Sequence, residues 1–274
     1  MIRDMTIEQY YPAESIMHSL DPRVKIVCTL LFLISLFMQN SILGYMIAAV
    51  FLTAVIKISK VPFRYIVKGL KAVVVLLLFT VVMNLLLTQG ENVLFQFGFL
   101  RITENGLRVS VFMAIRLIFL IIGSSLMTFT TTPNALTDGI ESLLRPLNKI
   151  GVPVYEVAMM MSIALRFIPI LLEETDKIMK AQIARGADLG SGNIIQKAKS
   201  MIPILVPLFV SAFRRANDLA MAMEARCYQG GEGRTKMKPL IYRHRDYAAY
   251  VVTAIYFAAV FVIGRYVPFK LWIF

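Results

Sequence analysis

The sequence predicts an all-α, polytopic membrane protein with about five transmembrane helices and a cytoplasmic block of three amphipathic or coupling helices. Two observations carry this. Of the 274 residues, 58% are hydrophobic and 17% charged, against ~45–50% and ~25% in soluble domains. The excess is gathered into runs at Val24–Met38, Ile42–Ile56, Tyr65–Leu87, Leu107–Phe129 and Tyr247–Gly264, and none of them contains Asp or Glu. Each approaches the ~20 apolar residues that cross a bilayer core.

The first 23 residues are polar and lack the apolar stretch of a secretory signal, so the first run is expected to act as its own insertion signal. The net charge of +12 follows the positive-inside bias. Lys57, Lys60, Arg64, Lys68 and Lys71 crowd the linker between the second and third runs, and Pro133–Asp246 holds sixteen Lys or Arg. Gln39–Ser41 is uncharged, and Gln89–Gly106 sets Arg101 against Glu91 and Glu104. The expected topology is multi-pass in the cell membrane, with the N-terminus cytoplasmic and the C-terminus outside. The chain divides into an N-terminal segment with a four-span block (1–132), a cytoplasmic coupling-helix block (133–246) and a closing span with its tail (247–274). Val93–Thr103 alternates Phe with polar residues and fits either a short β-hairpin or aromatic rings at the lipid interface.

The middle block contains two further apolar stretches, Val157–Leu172 and Met201–Phe213. If both crossed, five cations between Glu173 and Ser200 would lie outside, against the charge rule. They read as parts of long helices beneath or partly within the membrane. Pro153 opens a helix expected to run through Ile183, with Gly186, Gly190 and Gly192 in the turn beyond. A second is expected over Ile194–Tyr228, kinked at Pro203 and Pro207. A shorter amphipathic helix over Ala135–Leu147 precedes both.

Each long helix closes on a similar triplet, Ala184-Arg185-Gly186 and Ala225-Arg226-Cys227. A cation suits a helix C-terminus by ~0.3–1 kcal/mol, so each alone reads as an ordinary terminal arginine. Paired at the ends of matching helices, they favour docking on a partner, where each guanidinium meets a carboxylate or carbonyl. Met159, Met160 and Met161 form a second signal: flexible thioethers suit a surface that repacks against different partners, although filling a core is their commoner use. Arg116 lies inside the fourth run with no acid in any run to pair with it, leaving snorkelling, a bond to helix carbonyls or a substrate path open.

Several chemistries find no support. Gly230-Gly231-Glu232-Gly233-Arg234-Thr235 has neither the spacing nor the Lys of a phosphate-binding loop. His18 and His244, the only histidines, lie outside the runs and form no His-x-x-x-His metal pair. Cys28 and Cys227 read as two ordinary thiols, and the acid-free spans argue against a proton- or sodium-coupled carrier. No metal site, cofactor or nucleic-acid partner is expected.

The residues also carry a specific resemblance across almost the whole chain. Tyr11-Pro12, Ser15, His18, Leu20-Asp21-Pro22-Arg23 and Lys25 are followed by Ile102-Thr103-Glu104-Asn105-Gly106-Leu107 and Thr131-Thr132-Pro133. Then come Leu165-Arg166-Phe167-Ile168-Pro169, Ala181-Gln182 with the first triplet, and Ala222-Met223-Glu224-Ala225-Arg226. This pattern resembles the transmembrane T component of energy-coupling factor transporters, ABC importers of vitamins and trace metals. The resemblance implies a non-catalytic subunit that couples two cytoplasmic ATPases to a small, separate substrate-binding membrane subunit. ATP is then bound by the partners, and each triplet arginine docks on one ATPase. The N-terminal pattern is closer to the shared type of T component, which serves several substrate-binding subunits. Cys227 departs from the glycine more common in the second triplet. The rival from another class is a self-contained carrier or channel with a cytoplasmic regulatory block, which would transport when purified alone.

Overall fold

The computed structural model describes residues 10–39, 41–88, 93–97, 100–187, 193–231, 237 and 239–266. The described residues form eight α-helices: α1 (Pro22–Met38), α2 (Ile42–Ser59), α3 (Phe63–Leu87), α4 (Glu104–Thr130), α5 (Pro133–Leu144), α6 (Val154–Ala184), α7 (Ile194–Glu224) and α8 (His244–Tyr266). A two-stranded antiparallel hairpin, β1 (Val93–Phe97) and β2 (Leu100–Thr103), joins α3 to α4. Chain contacts divide the described residues into one unit formed by those from Tyr10 to Ile140 and from Pro239 to Tyr266, and another formed by those from Glu141 to Met237.

Local chemistry sets the helix ends. Asp21 accepts from the Arg23 N–H ahead of Pro22, and Thr103 accepts from the Gly106 N–H, the standard N-terminal cap. Pro146 lacks the N–H that would continue α5. That helix therefore stops at Leu144 and passes into a 3-10 turn, Arg145–Ile150, three residues short of the predicted end.

In the first unit α3 packs on α4, and α1 packs on both α4 and α8, with α2 against α4 and α8. The buried core joins Phe32 and Leu36 of α1 to Tyr45, Ala48 and Leu52 of α2, with Ile122 and Leu126 of α4 and Tyr256 of α8. Outward residues such as Val50, Val75 and Ile255 are exposed. Apolar helices gain little from one another in lipid, so close packing and interhelical hydrogen bonds must hold them. Both are present. Phe51 stacks on Tyr256 at 4.3 Å, the Ser35 hydroxyl meets the Tyr256 phenol at 2.8 Å, and the Gln39 amide donates to the Val260 carbonyl at 2.7 Å.

Arg116 belongs to this framework. Its Nη2 donates to the Gln39 carbonyl at 2.9 Å and its Nε to the Tyr45 hydroxyl at 3.0 Å. Gln39 is the C-cap of α1, so the guanidinium neutralises the negative end of that helix. Of the three readings the sequence left open, the bond to a helix carbonyl is the one observed. Gly44 makes room for Gln39, since a Cβ there would sit 1.8 Å from Gln39 Oε1.

By length and composition, α2, α4, α6 and α8 can each cross a membrane. α3 makes a fifth if its two arms, bent by 57°, act as one span. The protein is thus a helical multi-pass membrane protein, though this roster differs from the five predicted runs. At 17 residues, α1 is about 26 Å long, shorter than a ~30 Å hydrocarbon core. Conversely, Val157–Leu172 lies in an unbroken 31-residue helix, which gives it the length the bare run lacked.

Candidate functional site

In the second unit, α6 and α7 pack as a pair. The Gln182 amide donates to the Pro203 carbonyl at 3.2 Å. Farther along, Glu174 accepts from Ser211 at 3.2 Å and pairs with Arg215. Residue numbers fall on α6 as they rise on α7, so the helices run antiparallel where they touch. The Gln182 bond answers a specific deficit. Pro207 has no N–H, which leaves the Pro203 carbonyl without its intrahelical donor, and Gln182 supplies one. α7 is unbroken through both prolines and ends at Glu224, four residues before the predicted end.

The two triplets have the same backbone geometry. At the end of α6, the Gly186 N–H bonds the Ile183 carbonyl at 2.9 Å and the Ala187 N–H bonds the Gln182 carbonyl at 3.0 Å. At the end of α7, Cys227 bonds Glu224 at 2.9 Å and Tyr228 bonds Met223 at 3.1 Å. Each is the paired 5→2 and 6→1 bonding of a Schellman C-terminus, whose third residue must turn left-handed. Gly186 has φ +85° and Cys227 φ +56°. Arg185 and Arg226 therefore occupy the same position, and all six triplet residues are exposed. Counted from the Gln182–Pro203 contact, Arg226 lies 23 residues along α7, on the order of 35 Å at ~1.5 Å per residue. The arginines thus stand at opposite ends of the helix pair. The shared left-handed turn is what the sequence reading missed. Its signal was the small third residue, read there only as lack of obstruction.

The left-handed conformation makes Cys227 strained where Gly186 is not. It costs a residue with a Cβ ~1–2 kcal/mol, offset by the ~0.4–1 kcal/mol of unfolded-chain freedom that a glycine brings. Cys227→Gly is therefore expected to stabilise this helix end by about 0.5–1 kcal/mol. Amide hydrogen exchange at Tyr228 should slow several-fold, and faster exchange would refute the strain.

Met160 and Met161 are 61% and 50% exposed, whereas Met159 is half-buried. On α7, an exposed apolar stripe runs through Met201, Leu205, Val206, Phe209, Val210 and Phe213. Its spacing of three to four residues was legible in the sequence, but the run was judged only as a possible span. Gly190, Gly192 and the Gly233-Arg234-Thr235 stretch lie outside the described residues.

The N-terminal residues of the family pattern, which sequence reasoning gave no site, form a latch in the other unit. Asp246 is 1% exposed and accepts from the Asp21 N–H at 2.8 Å and the Arg243 N–H at 2.7 Å. Arg23 donates to both Asp21 oxygens, at 2.9 and 3.0 Å, and to the Leu240 carbonyl at 3.0 Å, and lies 3.9 Å over the Tyr242 ring. Partial burial opposes the Asp21 charge, but the Arg23 bonds prevail and hold its carboxyl below the usual range. Lys25 donates to the Thr130 carbonyl at 2.7 Å, at the end of α4. His18 reaches the Tyr11 carbonyl through Nε2 at 2.9 Å and Ser15 Oγ through Nδ1 at 2.6 Å. A carbonyl only accepts, so Nε2 carries the proton and Nδ1 takes the serine's. Burial keeps this imidazole below its ordinary pKa and favours that neutral form.

The profile of the CbiQ family, described as a cobalt transport protein, matches residues 13–237. The chain is 60% identical over 250 residues to a Clostridium kluyveri protein named energy-coupling factor transporter transmembrane protein EcfT, covering 91% of this chain and 93% of that one. Proteins of the same name from Thermosediminibacter oceani and Bacillus subtilis are 54% and 47% identical. They cover 93% and 94% of this chain and 96% and 97% of their own. The profile extends over Asp21, Arg23 and Lys25 of the latch and over the two arginine-bearing helix ends, and the chain belongs to the CbiQ/EcfT family of energy-coupling factor transporter transmembrane proteins.

Proposed function

We propose that this chain is the non-catalytic coupling subunit of an ABC-type vitamin or micronutrient importer. It passes the motion of two cytoplasmic ATPases to a separate substrate-binding membrane subunit. The observation that carries the reading is the pair of identical helix ends. Two exposed arginines in the same Schellman geometry, at opposite ends of one helix pair, suit two copies or homologues of one partner. Ala184, Gly186, Ala225 and Cys227 keep the approach to Arg185 and Arg226 open.

In this reading ATP is held by the ATPases, and the chain needs no cofactor. The N-terminus and the helix ends bearing Arg185 and Arg226 face the cytoplasm, and the C-terminus is outside. ATP binding draws the two ATPases together and moves the anchored helix ends. α6 and α7 carry that motion to their exposed apolar faces, Met160 and Met161 on α6 and the stripe on α7, where the substrate-binding subunit sits. The likeness of the N-terminal pattern to the shared type supports interchangeable substrate-binding subunits.

Affinity purification from native membranes in mild detergent tests the assembly. Two ATPase subunits and one small hydrophobic protein are expected to accompany the chain. Purified chain that transports by itself in liposomes would instead establish a self-contained carrier.

A further inference from the structure

Four helix ends meet at one end of the latch unit: the starts of α1 and α8 and the finishes of α2 and α4. Between them lies an apolar cavity of about 290 Å³, near the lower end of the ~300–1,000 Å³ range of small-ligand pockets. Val24 and Cys28 of α1 line it, with Leu52 of α2, Leu126 of α4, and Ala249 and Val252 of α8. The lining is almost wholly apolar. Lys25, also on its wall, is committed to the Thr130 and His18 carbonyls.

A second, polar recess of about 710 Å³ adjoins this cavity, sharing Ile16, Ile58 and Arg245 with it. Lys57, Lys60 and Arg245 line the recess with His18 and a single carboxylate, Glu14. Arg245 donates through Nη1 to Ser19 Oγ at 2.6 Å. Among the described residues neither Lys57 nor Lys60 forms an ion pair. Lys60 is held in a left-handed C-cap at the end of α2, φ +55°, so this cation is placed by a defined turn.

We propose that the two spaces form one binding site for an anionic glycerophospholipid. One acyl chain enters the cavity between α1, α2, α4 and α8, and the phosphate rests against Lys57, Lys60 and Arg245. Basic pockets beside membrane helices bind acidic headgroups in this way, and a cavity so largely walled by apolar side chains offers water few partners. The contiguity of the two parts separates a lipid from other anions. A free phosphate would use only the recess, and a neutral lipid only the cavity. The site stands on the geometry of the helix ends and is independent of the coupling role.

The test is native mass spectrometry of the full chain from membranes, with any subunits that accompany it, after exchange into mild detergent. Phosphatidylglycerol and phosphatidylcholine with identical chains are supplied as probes. Phosphatidylglycerol should be retained preferentially. Lys57→Gln, Lys60→Gln and Arg245→Gln should each weaken retention about fivefold, and together by on the order of a hundredfold. These side chains are exposed and outside the core, so the variants fold. Ala249→Phe, which fills the cavity, should also remove the lipid. Equal retention of the two lipids, or undiminished retention in the triple variant, would overturn the proposal. So would displacement of the lipid by inorganic phosphate alone, or unchanged binding in a folded Ala249→Phe protein.

Discussion

Arg185→Glu and Arg226→Glu, combined in one chain, are expected to abolish ATP-driven uptake while the protein still inserts and folds. The reasoning separates the side chain from its scaffold. Each helix end is closed by main-chain bonds, Gly186 to Ile183 and Cys227 to Glu224 among them, which do not depend on the residue between. Both arginines are exposed, so reversing their charge removes nothing from the fold beyond a modest helix-end term. At an interface, cutting one side of a desolvated charge pair costs ~2–5 kcal/mol, and reversal adds repulsion. Each single variant should lose capture of one ATPase, measured by co-purification, and Arg→Lys should recover capture only in part because it lacks the bidentate fork. Uptake at the normal rate in the double variant would end the docking assignment.

Asp246→Ala should produce the largest loss of stability. Its carboxylate is the shared acceptor for main-chain donors of Asp21 and Arg243, and it contributes negative charge facing the buried Lys25 ammonium. Alanine leaves two main-chain N–H groups without their acceptor at once and removes one of the negative charges that favour the Lys25 ammonium. Leaving a buried donor unsatisfied costs ~1–3 kcal/mol, so the two together are equivalent to a fall in Tm on the order of 10 °C for a chain of this size. Asp246→Asn keeps one acceptor oxygen and should lose about half as much. Thermal unfolding in detergent measures both, and a Tm for Asp246→Ala within ~2 °C of the parent would show that the latch does not bear on stability.

The sequence revealed those features whose cause is local. Acid-free apolar runs located α2, α3, α4 and α8, and Pro153 marked the start of α6 to within one residue. The hairpin was one of two readings of the Phe-rich linker. Features that depend on distant partners were hidden. A bond from Arg116 to helix carbonyls was among the open readings, but not its partners, a carbonyl and a phenol 77 and 71 positions away. Asp246 resembled any acid before a span, and nothing local says that it receives the N–H of Asp21. The triplets were legible as residues, but the left-handed turn that makes them equivalent requires the backbone.

The Gln182 contact has a mechanical consequence. Pro203 and Pro207 remove the N–H groups that the carbonyls of Lys199 and Pro203 would use within α7, so the helix is least resistant to bending over that turn. One of the two missing bonds is replaced from α6, three residues before Arg185. Compliance is therefore confined to a single fulcrum held by the neighbouring helix, while the seventeen residues from Leu208 to Glu224 form a rigid arm. A push on Arg226 therefore meets α6 first at the Glu174 bonds to Ser211 and Arg215 and then at that fulcrum, instead of being absorbed along the helix.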